Sequence, residues 1–183
     1  SKDFKWTHVR CETSDEVSTP PRARSGHTST AIGDRIFIFG GVDAKTGDDL
    51  DELWEFTPTT TVWKKLANGT RPRSSHAATS VDERYLLVCG GSTGNELCDC
   101  GAVDVYDVVK GEWGTVDGDN EDGDRPSPRA AHASVAIGNQ WFVIGGGDKG
   151  TCARVVGRHT FVLFSVTIRP PGDERLNRLQ FGA

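Results

Sequence analysis

Three histidines stand at equivalent places behind an arginine: Arg24-Ser25-Gly26-His27, Arg73-Ser74-Ser75-His76 and Arg129-Ala130-Ala131-His132. Histidine titrates near neutral pH and is the commonest general base. An active site is normally asymmetric, however, and these groups recur in every repeat. They read as hydrogen-bonding groups of an architecture, and no Ser/His/Asp constellation can be assembled without them. No catalytic residue is expected.

Other groupings carry less. Gly145-Gly146-Gly147-Asp148-Lys149-Gly150 follows an apolar run and fits G-x-G-x-x-G. A dinucleotide site would need a helix next and an acidic residue about 20 positions on. Residues 151–157 are short of helix formers, and the other glycine pairs lack the pattern, so no cofactor is expected. Asp117, Asp119, Glu121, Asp122 and Asp124 form an acidic cluster. A calcium loop started at Asp117 would place Asp122 where Gly is needed and Pro128 where Glu is needed, so a solvated loop is expected. Cys98 and Cys100, taken with Cys89 and Cys152, lack the paired spacing of zinc sites. Cys89 occupies the strand position held by Phe39 and Ile144 and reads as a small buried hydrophobe. No metal is expected. Asn68-Gly69-Thr70 fits a glycosylation acceptor, a triplet common by chance.

Composition sets the class. Of 183 residues, 36% are hydrophobic and 26% charged, with mean hydropathy -0.44, which describes a folded soluble chain. No stretch approaches the ~20 apolar residues of a membrane span. A net charge of -5 does not favour a phosphate backbone as partner, so neither nucleic acid nor membrane is expected. Five cysteines exclude a fully paired disulfide framework, and a cytoplasmic, reducing setting is the simpler reading. With no Met and a start at Ser1, the sequence reads as a processed product or a fragment.

The elements that must position these residues are repeated. Each histidine precedes a small-residue stretch, a polar turn, an apolar run and a glycine pair: Gly40-Gly41, Gly90-Gly91 and Gly145-Gly146. The separations from His to the first Gly are 13, 14 and 13 residues, and the pairs recur at 50 and 55. Trp63 and Trp113, each seven residues after Phe56 or Tyr106, also lie 50 apart. Each repeat predicts four short strands. Strand a covers residues 28–32 or 133–137, and strand b 36–39, 85–89 or 141–144. Strand c covers 53–56 or 103–106, and strand d carries the Trp. A continuous apolar strand b suits burial on both faces. A sheet of about 50 residues cannot hide its apolar face alone and must stack on a neighbour.

Pro-Arg-x-x-His, an apolar strand, Gly-Gly and a distal Tyr/Phe…Trp resemble the kelch motif. Pro72-Arg73 and Pro128-Arg129 match directly, and Ala23-Arg24 replaces the pair in the first repeat. The resemblance covers roughly residues 6–163. It implies an all-β fold of kelch-type propeller blades, each of four antiparallel strands. About three blades are present, too few to close a ring of the usual four to eight. The expected boundaries are the end of a preceding blade with a connecting loop at 1–22, blade 1 at 23–72, blade 2 at 73–128, a partial blade 3 at 129–163 and an atypical tail at 164–183. Trp6 sits where a strand d would sit and could complete the third blade, which implies possible self-association. In this scheme Arg24, His27, Gly40, Gly41, Trp63, Arg73, His76, Gly90, Gly91, Trp113, Arg129, His132, Gly145 and Gly146 are structural anchors. Copper radical oxidases and iron-dependent specifier proteins resemble this architecture, but their ligand sets do not occur here.

The resemblance implies a binding function, as a protein-interaction scaffold or adaptor. The alternative is the non-catalytic propeller of a larger enzyme or ubiquitin-ligase adaptor. In an up-and-down blade the b–c and d–a loops share one face. The b–c loops span residues 42–50, 92–102 and 147–158, and the d–a loops 67–71 and 114–127. Loops of unequal length on a rigid scaffold are where recognition concentrates. Asp43, Asp48, Asp49, Asp117, Asp119 and Glu121 make this face acidic, and Arg71 and Arg125 could pair acidic groups. The expected partner is a protein or a basic or polar peptide.

Overall fold

The first strand of each repeat alternates between the core and solvent. In Thr28-Ser29-Thr30-Ala31-Ile32, Thr30 and Ile32 are buried while Ser29 and Ala31 are exposed. The second strand has apolar side chains on both faces because it lies between two neighbours. The computed structural model describes residues 5–13, 20–117, 126–138, 140–147, 163–167 and 180–182. Among these there is no helix, and the chain is all-β.

Sheet 1 is built by β1 (Glu12–Thr13), β3 (Thr28–Ile32), β4 (Arg35–Phe39), β6 (Leu53–Thr57) and β7 (Val62–Lys65), while β2 (Arg24–Ser25) and β5 (Val42–Asp43) form a small ribbon. The order is β1-β7-β6-β4-β3, antiparallel except for β1, which lies parallel to β7. Sheet 2 contains β8 (Ala77–Val81), β9 (Tyr85–Cys89), β12 (Ala102–Asp107) and β13 (Glu112–Asp117), in the order β13-β12-β9-β8. The ribbon of β10 (Ser92–Thr93) and β11 (Glu96–Leu97) sits in its b–c loop. Sheet 3 contains β14 (Ala130–Ile137), β15 (Gln140–Gly147), β16 (Leu163–Thr167) and β17 (Gln180–Gly182), in that order. The first hairpin turns over two residues, with Ile32 opposite Arg35. The second turns over three, with Val81 opposite Tyr85, which accounts for its longer His-to-Gly spacing.

The sheets stack through two apolar layers. Ile32, Phe37, Phe39 and Leu53 of sheet 1 meet Leu86, Val88 and Tyr106 of sheet 2. Val81, Leu87, Cys89 and Val103 of sheet 2 meet Trp141 and Val143 of sheet 3. The alternate residues of β9 therefore serve opposite neighbours, Leu86 and Val88 one way and Leu87 and Cys89 the other. The inner strands β3, β8 and β14 run side by side, and Thr79 and Ser134 share a hydroxyl hydrogen bond of 2.5 Å.

Both ends of the chain differ from expectation. The residues around Trp6 form no strand, and its side chain is 98% exposed. The N-terminal segment reaches the outer edge of sheet 1 through β1 and does not complete sheet 3. Sheet 3 draws its outer strands, β16 and β17, from residues beyond Ile144 that the repeat pattern left largely unassigned. With a fourth strand of its own, it gives no reason for the self-association by strand completion set out above.

Candidate interaction face

The repeated residues are used at the joints between sheets. Gly41 N–H donates to the Arg73 carbonyl at 2.8 Å, and Gly91 N–H donates to the Arg129 carbonyl at 2.8 Å. A Cβ on Gly40 would lie 2.5 Å from the Arg73 oxygen, and one on Gly90 would lie 2.6 Å from the Arg129 oxygen. Both residues also have positive φ, so only glycine fits the approach. Each arginine side chain folds back on its own glycine pair. Arg24 donates to the Gly40 carbonyl at 3.1 Å, Arg73 to the Gly90 carbonyl at 3.4 Å and Arg129 to the Gly145 carbonyl at 2.7 Å.

The arginines also find acids. Arg24 pairs with Glu52 at 2.7 Å, and buried Arg73 pairs with Asp104. Glu52 further accepts from Arg22 and Lys65 at 3.0 Å and from the Trp54 indole at 3.2 Å. Burial alone would raise its carboxyl, but the hydrogen bonds from Arg24, Lys65, Trp54 and Arg22 outweigh this and hold it at about 2. Sequence reasoning missed Glu52 and Asp104 because the acid precedes strand c in one repeat and lies inside it in the next, so no common period marks it. His76 is buried and its ring is lowered to about 3, first by desolvation and then by the charges of Arg73, His132 and His27. It is therefore neutral at ordinary pH, and its Nε2 lies 2.8 Å from the Thr28 hydroxyl. His27, less enclosed, is lowered for the same first reason.

Trp113 bridges a joint. It packs against Tyr106 of its own sheet at 5.2 Å and Phe39 of sheet 1 at 5.0 Å, and its indole N–H donates to the Ala67 carbonyl at 3.3 Å. Trp63 packs on Phe56 within sheet 1 at 4.8 Å.

The candidate loop residues divide. Asp43 is 3% exposed: one oxygen accepts from the Lys45 and Thr46 amides at 2.7 and 3.3 Å, and the other pairs with Arg22 at 2.8 Å. It closes its own turn, and its carboxylate is not presented to a partner. Asp49 accepts from Gly94 N–H at 2.6 Å and ties the b–c loop of sheet 1 to that of sheet 2. Asp48 and Arg71 are exposed. The backbone of Asp117 ends β13 opposite Ala102, while Asp119, Glu121 and Arg125 lie outside the described residues. An open groove on this face runs between Arg22 and Ala23 on one side and Asp43, Ala44, Lys45 and Thr46 on the other. Gly145–Gly147 form the end of β15, with positive φ at Gly145 and Gly146, and residues 148–150 of the glycine-rich run lie outside the described residues.

One cluster could hold a metal. Cys89 Sγ lies 3.3 Å from His132 Nε2, Cys100 Sγ lies 3.7 Å from the same nitrogen, and the sulfurs are 3.5 Å apart. All three residues are buried. The hydrogen bond with Cys100, together with burial, keeps Cys89 protonated, and the same bond favours the thiolate of Cys100. The sequence reading placed Cys89 as a hydrophobe and did not connect it with His132. Cys152 lies outside the described residues.

Comparison with known proteins agrees with this architecture. A model of the KLHDC2/KLHL20/DRC7 Kelch-repeats domain matches residues 1–146. Acyl-CoA-binding domain-containing protein 5 of Arabidopsis thaliana is 39% identical over 132 residues, which are 70% of this chain and 19% of that protein. The flagellar outer-arm dynein alpha chain of Chlamydomonas reinhardtii is 35% identical over 133 residues, 69% of this chain and 3% of its own length. The F-box/kelch-repeat protein At1g51550 of Arabidopsis thaliana is 30% identical over 156 residues, 79% of this chain and 30% of that protein. The chain thus spans about a fifth of the length of the first of these relatives and less of the second. Three stacked sheets of five, four and four strands, the arginine–glycine joints between them and the family match carry one conclusion: the chain belongs to the kelch-repeat family.

Proposed function

We propose that this chain is a non-catalytic protein-interaction module of the cytoplasm that binds a protein or polar peptide through its b–c and d–a loops. The observation behind this reading is a division of labour. The repeated Arg, His and Gly residues are used at the joints, whereas the loops differ in length and sequence and carry exposed Asp48 and Arg71 as well as Lys45, which lines the open groove. With Asp43 and Asp49 engaged internally, the described part of the face presents mixed charges, which favours a polar partner over a strongly basic one.

The test is affinity capture with two charge-reversal sets. Lys45→Glu, Asp48→Lys and Arg71→Glu alter the proposed face. Asp34→Lys, Glu83→Lys and Lys110→Glu alter turns at the opposite ends of the strands. Partners lost only with the first set support the reading, and partners lost only with the second overturn it.

A second reading is that the chain serves as the propeller portion of a larger enzyme or ubiquitin-ligase adaptor. It is favoured by the small share of the relatives' length that the chain covers, including that of an F-box/kelch-repeat protein. The same loops would then face a neighbouring domain, and cross-linking within the full-length product would find them joined to it.

A further inference from the structure

The two joints between sheets are built alike except around one histidine. At the first joint, His76 meets the Thr28 hydroxyl at 2.8 Å and packs edge-on to Phe39 at 5.2 Å. At the second, Ala77 takes the place of Thr28 and Cys89 the place of Phe39. The link that follows is also longer. Leu50 and Cys98 make equivalent hydrogen bonds to the second glycine of each pair, but two more residues separate Cys98 from Val103 than Leu50 from Leu53. Cys100 lies in that longer link. Ala77 offers His132 no hydroxyl, and Nε2 faces two thiols instead.

We propose that Cys89, Cys100 and His132 form a zinc(II) site that joins sheets 2 and 3. Zinc bonds of about 2.3 Å to sulfur and 2.0–2.1 Å to nitrogen, at tetrahedral angles, set two sulfurs ~3.8 Å apart and sulfur and nitrogen ~3.6 Å apart. The three distances here are 3.5, 3.3 and 3.7 Å, within a few tenths of an ångström of those edges. A planar three-coordinate ion with the same bond lengths would spread the donors further, to about 4.0 and 3.8 Å. Two thiolates neutralise the dication, so the bound site buries no net charge. A Cys89–Cys100 disulfide would leave Nε2 of His132 facing spent sulfurs, whereas a metal uses all three donors. No fourth His, Cys, Asp or Glu joins the group among the described residues, so the fourth position is left to a small exogenous ligand such as water. The bond set would link β9 and the b–c loop of sheet 2 to β14 of sheet 3, positions 43 and 32 residues apart in sequence.

The test uses the whole 183-residue chain, purified under reducing conditions from zinc-supplemented culture. Elemental analysis is expected to find about one zinc per chain, lost in Cys100→Ala while the far-ultraviolet circular dichroism stays unchanged. Cys100 is chosen because it lies in a loop link and not in a strand. As removal of a buried thiol can also unfold a chain, a second measurement leaves the sequence untouched. Cobalt(II) exchanged into the protein is expected to show a thiolate-to-cobalt charge-transfer band with intense tetrahedral d–d bands, and a chelator is expected to lower Tm. A folded chain with reduced thiols that retains no zinc overturns the proposal. So does zinc content undiminished by Cys100→Ala, a cobalt spectrum without the thiolate band, or a Tm indifferent to the chelator.

Discussion

At the scale of single residues, the joints depend on absent side chains and on buried ionisable groups. A Cβ on Gly90 would lie 2.6 Å from both the Arg129 oxygen and the His132 ring, whereas one on Gly145 meets nothing within 4 Å among the described residues. Both have positive φ, at 60 and 71. Gly145→Ala should therefore cost only the backbone penalty, about 1 kcal/mol, and Gly90→Ala about 3–5 kcal/mol because backbone must also move. Urea denaturation of the two variants checks the difference, and equal losses would refute the steric account. The ionisable groups set the response to acid. His76 has a folded value of about 3, below its ordinary 6.5, so its neutral form stabilises the fold above pH 6.5 and that contribution fades as pH falls toward 3. Glu52, held at about 2 against an ordinary 4.5, loses its contribution between about pH 4.5 and 2. Stability measured across this range should begin to fall below pH 6.5, and Glu52→Gln should flatten the lower limb alone. A level profile from pH 6.5 to 4.5 would contradict a buried, neutral His76.

At the scale of elements, the tryptophans rank the strands. Trp113 crosses a joint to reach Phe39, while Trp63 packs within its own sheet on Phe56. Trp113→Ala should cost about 3 kcal/mol and Trp63→Ala clearly less, as a truncation is costliest where two layers close on the ring. Thermal or urea melts of the pair decide it. Much at this scale was legible in the sequence. The period of 50 located the strands because every repeat must present the same faces to its neighbours. The hairpin of three turn residues was legible from one extra position between His76 and Gly90. The illegible parts are those the repeat does not impose. Asp43 reads as a surface charge, yet it closes its own turn. Trp6 matches the strand-d residue type but stands exposed outside any strand among the described residues. Cys89 and His132 become partners only through stacking of separate sheets, which no local spacing records.

At the scale of the whole molecule, the three large sheets formed by the described residues leave two unmatched halves of one joint. Ile32 is 2% exposed and Val81 5%, each covered by the following sheet, while the equivalent Ile137 on sheet 3 is 64% exposed. At the opposite end of the same hairpin, beside His132, Gly145 keeps the open space that Gly40 and Gly90 give to the next repeat's histidine. At the other end of the stack, His27 is exposed, whereas His76 and His132 each reach the glycine pair of the sheet before them. The faces are complementary, a heterologous contact that can join copies head to tail, and two copies would supply six sheets, within the range in which propellers close. In a longer chain, neighbouring repeats would occupy the same faces. For the isolated chain, sedimentation should therefore show an average mass that rises with concentration. Ile137→Lys should restore the monomer without lowering the melting temperature, because its side chain touches little within its own subunit. A concentration-independent monomer in the unaltered chain would mean that the ends are satisfied otherwise. An oligomer unaffected by Ile137→Lys would place the contact on some other surface.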